Sequence, residues 1–223
     1  MAEVTVALLG LGRVGASMGL ALKRYGAQGK EHTFKITGYD STPDNVKAAK
    51  TLKAIDESAP RPEMAVKDKD IVVINLPYGE VPNAYEFIAP QLRPGAVILD
   101  SSPLTQTSME WAKQRLPEDA HLVCIKPILN SKYLFNPVDR TEDAVEDLFD
   151  NGIVLLMPSV TCIKEAISLA TEFARIIGSR QHFLDPAEHD GLIAGTEILP
   201  GLLGSMYFYM MSNSSGWLDL QRM

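Results

Sequence analysis

The chain has 223 residues, 46% hydrophobic and 22% charged, enough to bury a sizeable core and ordinary for a soluble protein. Its net charge of -7 and its scattered Lys and Arg residues exclude nucleic acid as the expected partner, and no apolar run approaches the roughly 18 residues of a membrane span. Cys124 and Cys162 show neither metal-ligand spacing nor a disulfide pattern; with no signal peptide at the start, a reducing, cytoplasmic setting is expected.

The run Val4-Thr5-Val6-Ala7-Leu8-Leu9 has the apolar continuity of a strand buried on both faces, and it turns at Gly10-Leu11-Gly12-Arg13-Val14-Gly15. In this G-x-G-x-x-G spacing Gly10 makes the tight turn, Gly12 lets the backbone approach a pyrophosphate, and Gly15 lets the next helix, residues 16–25, pack close. The first amides of that helix are unpaired and its dipole is positive there, a ready site for dinucleotide phosphates. A second strand, 34–39, ends on Asp40, whose carboxylate can accept hydrogen bonds from the adenosine ribose. No Arg or Lys lies within 41–45 to hold a 2′-phosphate, so NAD is expected over NADP. Asp40 lies 25 residues beyond Gly15, and a loop over 26–32 accounts for the length.

Ser41-Thr42-Pro43 predicts a capped helix to about residue 54, followed by a polar stretch over 56–69. The next buried strand, 70–77, ends on Leu76 and Pro77 at the edge where cofactors bind, and both become candidate contacts. A helix over 81–92 and a strand over 96–99 lead to Asp100, Ser101 and Ser102. Thr107 and Glu110 have capping-box spacing and predict a helix over 108–115. A strand over 122–125 is expected to end at Lys126-Pro127. The acidic segment 130–151 reads mostly as a solvated face. A strand over 153–157, a helix over 160–177 and a strand over 181–184 follow. Asp185-Pro186-Ala187-Glu188 then starts a helix that runs towards Met211 with Pro200 as a kink. Its Leu, Met and Tyr residues predict core or subunit interface, and Gly195, Gly201 and Gly204 a close helical neighbour. Strand and helix alternate throughout, so the expected fold is α/β: a doubly wound, Rossmann-type, mainly parallel sheet over residues 1–185, then the start of an all-helical domain over 186–223.

Taken together, the glycine turn, Asp100, Lys126-Pro127, Asp147-Leu148-Phe149 with Asn151, His189-Asp190, Leu199-Pro200 and Gly216-Trp217-Leu218-Asp219-Leu220-Gln221-Arg222 resemble the prephenate and arogenate dehydrogenase family over nearly the whole chain. The resemblance implies a Rossmann domain followed by a helical dimerisation domain, hence a homodimer through the C-terminal helices. It also implies NAD(P)-linked oxidation of a ring hydroxyl in a small carboxylate-bearing substrate, with loss of carboxylate, in tyrosine biosynthesis. Three departures stand out: Lys126 occupies the place of the family's His, Pro103 and Thr105 replace a Ser and a Lys, and Leu218 replaces an Arg. The chain stops at Met223, which suggests a short or partial member.

The expected cofactor set is Gly10, Gly12, Arg13, Val14, Gly15, Asp40, Leu76, Pro77 and Ser101; no metal is expected. For catalysis the candidates are Lys126 and His189. Lys126 is either an acid or base, if burial tunes it, or a solvated lysine, and His189 either lines the site or is structural. Ser101 and Ser102 bind cofactor or substrate or cap their turn. An NAD-linked dehydrogenase is the first reading. Its alternatives are a non-catalytic NAD-binding regulator and a hydroxyacid dehydrogenase that uses Lys126 as general base.

Overall fold

The computed structural model describes residues 2–29, 31–134, 139–214 and 216–222; residues 135–138 of the acidic segment and the terminal Met223 lie outside them. The elements are β1 (Ala2–Leu9), α1 (Arg13–Ala27), β2 (His32–Tyr39), α2 (Pro43–Thr51), β3 (Glu57–Ser58), α3 (Pro62–Ala65), β4 (Ile71–Ile74), α4 (Val81–Ile88), β5 (Val97–Asp100), α5 (Thr105–Arg115), β6 (His121–Ile128), β7 (Ile153–Pro158), α6 (Lys164–Ile176), β8 (Arg180–Phe183), α7 (Pro186–Ile193), α8 (Leu199–Ser212) and α9 (Trp217–Leu220). Among the described residues all eight strands form one sheet in the order β3-β2-β1-β4-β5-β6-β7-β8. Strand order reverses between β1 and β4, the place where doubly wound sheets bind ligands.

Alternation along the strands divides the core. Val6 and Leu8 of β1 pack with Met18, Leu22 and Tyr25 of α1 and Phe173 of α6; Ala7 and Leu9 face the opposite layer, with Val81, Tyr85 and Ile88 of α4. Strands β1, β2, β4, β5 and β6 are mutually parallel, so their carboxyl ends share one edge.

The sheet is mainly parallel, as expected; among the described strands β7 runs antiparallel to β6, because in their connection the described residues form 3-10 turns over Ser131–Tyr133 and Thr141–Asp143 and no crossover helix. Several other expectations are corrected. β6 does not end at Lys126-Pro127 but continues to Ile128, paired with β7 beyond the point where β5 has stopped, so the missing donor of Pro127 costs no bond on the β5 side. The polar stretch over 56–69 contains the short β3 and α3. Thr42 stands at the start of α2 without a side-chain cap, and α6 begins at Lys164, after an exposed Val160.

The proposed Thr107–Glu110 capping box does not form. α5 starts at Thr105, and its first amides are held by the distant Asp190: the carboxylate accepts from the amides of Thr105 at 2.8 Å and Gln106 at 2.9 Å. Nor is the acidic segment only a solvated face. Asp150 accepts from both Arg24 nitrogens, at 2.8 and 2.6 Å, and Asp147 accepts from Tyr133 and Lys132, while Leu148 and Phe149 are core. The Asp185 start of α7 forms as expected, its side chain accepting from Ala187 and Glu188.

Between α7 and α8 the chain makes a π-helical stretch, Ala194–Ile198, just before Pro200; the wider turn accommodates a residue that cannot donate to the ladder. Leu199, Leu202, Leu203, Met206, Tyr207, Phe208, Tyr209 and Met210 are exposed in the single chain, so they are not its core. A Cβ added at Gly195, Gly201 or Gly204 would meet nothing within 4 Å, so the close neighbour expected there is not supplied by the described residues.

Candidate functional site

The site is assembled where the parallel strands end. Gly10 has φ +90°, and a Cβ there would lie 2.3 Å from the Asn75 carbonyl oxygen; a Cβ on Gly15 would lie 2.1 Å from the Gly10 carbonyl oxygen. Both positions therefore admit only glycine. Around Gly12 the space is open, with nothing within 4 Å of an added Cβ. Gly12 begins α1 with no side-chain cap and no acid in the first turn, which leaves the positive end of a 15-residue helix facing that space.

Asp40 lies at the end of β2. Its Oδ2 accepts from the Leu11 amide at 2.7 Å; Oδ1 accepts from the Thr42 amide at 2.8 Å and from Asn45 Nδ2 at 3.2 Å. The carboxylate is thus fixed as an acceptor beside the glycine turn, and it lines a pocket of about 480 Å³ with Tyr39, Ser41, Pro43, Val46 and Ser58. A second pocket, of about 320 Å³, shares Tyr39 in its lining and includes Leu76, Arg61 and Phe87. Glycines, open helix end and fixed acid form a cradle that fits a dinucleotide.

The remaining predicted contacts are placed less simply. Arg13 is buried, its guanidinium carbon 5.5 Å from the Tyr133 ring centroid. Val14 is half-buried and packs against the core on the α1 side. Pro77 precedes a 3-10 turn, Tyr78–Glu80, that leads into α4. The Ser101 hydroxyl is engaged with β4, donating to the Ile74 carbonyl at 2.9 Å and to Asn75 Oδ1 at 2.8 Å. Ser102 donates from both amide and hydroxyl to Asp100, at 3.0 and 2.8 Å. Asp100 is fully buried and also accepts from Tyr85, at 2.6 Å, and from Ser108. Burial, then the Asp100 charge, raise both the Tyr85 phenol and the Cys124 thiol well above their usual values, so both stay neutral and Cys124 is the inert buried thiol expected. Cys162 is free but only partly buried.

Lys126 leaves β6 at the carboxyl edge with its side chain a quarter exposed, and its ammonium faces Glu197 of the π-helical stretch at 3.1 and 3.3 Å. His189 is 1% exposed. Its Nδ1 lies 3.0 Å from Asp190 Oδ1 and 3.5 Å from the Thr105 hydroxyl; Nε2 is buried with no hydrogen-bond partner among the described residues. Asp190 also accepts from the Thr105 hydroxyl at 2.6 Å. Burial raises the Asp190 carboxyl, but the bonds from Thr105 and His189 and from the two amides outweigh it, and its pKa falls below the usual carboxylate value. Neither Asp190 nor Glu197 was singled out in the sequence for these contacts, whereas Asp40 and the glycines are marked by local pattern and Lys126 by the family resemblance. Among the described residues no group of His, Cys, Asp and Glu has the arrangement of a metal site, and no helix is long and apolar enough to cross a membrane.

The family model for the nucleotide-binding domain of prephenate dehydrogenase matches residues 18–182, from inside α1 to β8. The chain belongs to the prephenate dehydrogenase family. Prephenate dehydrogenase of Bacillus subtilis (strain 168) is 27% identical over 220 residues, covering 97% of this chain and 56% of that protein. Cyclohexadienyl dehydrogenase of Zymomonas mobilis is 24% identical over 208 residues, 93% of this chain and 67% of that protein. The chain thus spans little more than half the length of its Bacillus relative. The crystal structure of prephenate dehydrogenase from A. aeolicus in complex with hydroxyphenyl propionate and NAD+ superposes with a TM-score of 0.81 at 19% identity, covering all of this chain and 78% of that one; at that identity the likeness establishes the fold. The family's nucleotide-binding domain is accordingly what the sheet and its flanking helices form over residues 18–182.

The depressed pKa of Asp190 makes its tie to α5 pH-dependent. A carboxyl whose folded value lies below its unfolded one contributes stability that is complete above the unfolded value of about 3.9 and is lost as pH falls through the folded value. Asp190→Asn should therefore cost about 1–2 kcal/mol at neutral pH, and the gap in melting temperature between the two proteins should close as pH is lowered below about 4. Calorimetry from pH 7 to 3 measures it; a gap that stays constant would show that the charge contributes nothing.

Proposed function

We propose that the chain binds NAD, in preference to NADP, along the carboxyl edge of its sheet and passes a hydride between that cofactor and a small carboxylate-bearing alcohol of the prephenate or arogenate type. Asp40 is the observation that carries this reading: a carboxylate held rigid by three donors beside the glycine turn, with an acceptor position left on Oδ2 for a ribose hydroxyl and none of the charge a 2′-phosphate needs. Gly10, Gly12 and Gly15 would hold the diphosphate against the first amides of α1 with Arg13 and Val14; Leu76 and Pro77 would flank the base side, and Ser101 would brace the edge. Bound there, nicotinamide supplies the two-electron acceptor.

The chain's own chemistry then falls to Lys126 and Glu197. Oxidising a carbinol requires an acceptor for the hydroxyl proton and a donor that stabilises the oxygen as charge develops. An ammonium donates only, so Lys126 is assigned the donor role, and Glu197, more than half exposed beside it, is the carboxylate in position to accept. His189, sealed at 1% exposure and bound to Asp190, is assigned a positioning role in place of the reactive one expected of it. A regulator that binds NAD without turnover is the competing reading, favoured by the engagement of Lys126 in an ion pair.

Asp40→Ala should weaken NADH about tenfold or more, the cost of a charge-assisted hydrogen bond, and NADPH much less. Fluorescence titration of both cofactors decides it; equal affinities in the unaltered protein would remove Asp40 from the ribose. Lys126→Ala should lower turnover roughly a hundredfold or more while leaving NADH affinity nearly unchanged. The assay follows NADH absorbance over prephenate, arogenate and small 2- and 3-hydroxy acids. Turnover indifferent to Lys126→Ala would refute its role, and NADH binding without turnover on any of them would favour the regulator.

For assembly, residues 186–223 are assigned to a helical pairing segment through which a second copy covers α8. A helix apolar on all sides belongs in a larger core, and eight large apolar side chains along α8 are exposed in the single chain. Light scattering at micromolar concentration should give the mass of a dimer, and a monomer mass would overturn the assignment.

A further inference from the structure

In the connection between β6 and β7 the described residues, 129–134 and 139–152, leave the sheet at its sixth strand, yet their polar contacts reach back to the first strand's turn and helix. The Thr141 hydroxyl, on a residue only 1% exposed, donates to the Leu11 carbonyl at 2.8 Å. The Val145 amide donates to Ser17 Oγ at 3.0 Å, and Asp150 takes both guanidinium nitrogens of Arg24. Tyr133 places its ring against the Arg13 guanidinium while its hydroxyl donates to Asp147. Leu148 and Phe149, fully buried, root the segment in the core.

Leu11 is where these contacts meet the glycine turn. Its N–H donates to Asp40, and its carbonyl accepts from Thr141. A trans peptide is planar, so its C=O and the following N–H point in opposite directions. Fixing the Leu11 carbonyl on Thr141 therefore turns the Gly12 N–H away from the connection, at the one glycine of the turn with open space around it. Left to itself, a turn flanked by glycines has the freedom to rotate that peptide and lose the alignment. Arg13, the next residue, is held in the same way by a ring from the same connection.

We propose that Thr141 and Tyr133, from the described parts of the β6–β7 connection, are working parts of the dinucleotide site: Thr141 orients the Leu11–Gly12 peptide so that the Gly12 N–H is presented to a diphosphate, and Tyr133 positions Arg13 beside it. Thr141 and Tyr133 are positioning residues, and the ligand class is a nucleoside diphosphate or its dinucleotide ester. The proposal rests on the dinucleotide reading of the glycine turn and adds to it a segment that no glycine motif contains.

The experiment titrates NADH and ADP into the unaltered protein and into Thr141→Val, Thr141→Ser, Tyr133→Ala and Tyr133→Phe, with melting temperatures measured without ligand. Thr141→Val keeps the shape and removes the hydroxyl; it should weaken both ligands roughly three- to tenfold, the ordinary worth of one buried hydrogen bond. Thr141→Ser should restore both, which a loss of packing alone would not allow. Tyr133→Ala should weaken both ligands by a similar factor, and Tyr133→Phe, which gives up the bond to Asp147 but keeps the ring over Arg13, should bind both as the unaltered protein does. Unchanged affinities in Thr141→Val, or a Ser variant as weak as the Val variant, would overturn the role of Thr141; unchanged affinities in Tyr133→Ala, or a Phe variant as weak as the Ala variant, would overturn that of Tyr133. If the unaltered protein binds neither NADH nor ADP, the dinucleotide reading itself fails and the proposal falls with it.

Discussion

The crowding at the turn between β1 and α1 constrains the rest of the site. No side chain fits at Gly10 against the Asn75 carbonyl, and none fits at Gly15 against the carbonyl of Gly10. The first helix is therefore drawn down onto the seam between β1 and β4, where strand order reverses, and its unpaired amides end up at the carboxyl edge of the sheet. Asn75 is in turn steadied by Ser101 at the end of β5. The edge is thus a continuous row of backbone contacts from β1 through β4 to β5, and a substitution at any of these three strand ends would be felt at the glycine turn.

A second constraint acts at the other end of the site. Asp190 spends its carboxylate on the amides of Thr105 and Gln106, on the Thr105 hydroxyl and on the ring of His189, and so fastens α7 to the start of α5. An acid from one helix does for another what a local N-cap does within a single helix. Because α7 is fixed there, the π-helical stretch that follows it passes the carboxyl end of β6, and Glu197 comes to face Lys126. The buried Asp100 accepts from Tyr85, Ser102 and Ser108, the hydrogen bonding under which a buried carboxyl group is tolerated.

The parts of this arrangement that could be read from sequence are those written in local pattern. Apolar runs marked the central strands, the glycine spacing marked the turn, and Asp40 followed at the end of the second strand. What escaped was decided by residues far away. The start of α5 was misplaced because its capping acid lies 85 residues further along the chain, while Thr107 and Glu110 offered a plausible local substitute. β6 appeared to stop at a proline because the partner that carries it onward, β7, returns antiparallel, and no periodicity encodes that direction. The acids at 147 and 150 looked solvated because composition shows charge but not the Arg24 or Tyr133 that meets it.

The same distinction bears on the chemistry at Lys126. An imidazole at that place, as the family resemblance would have it, can both donate and accept near neutral pH, so a single ring on a single strand suffices. An ammonium cannot accept, and any acceptor must come from elsewhere. In the proposed reaction it comes from the segment after α7, in the carboxylate of Glu197, which faces Lys126. In the proposed reaction two elements therefore share what one side chain would do, and the sheet alone would present a donor without its partner. The division makes reactivity depend on how firmly residues 186–212 are held: on one side by the Asp190 tie to α5, on the other by whatever covers the exposed apolar length of α8. A second copy seated there would steady the segment that carries that carboxylate, and so link the proposed assembly to the proposed catalysis through the position of one side chain.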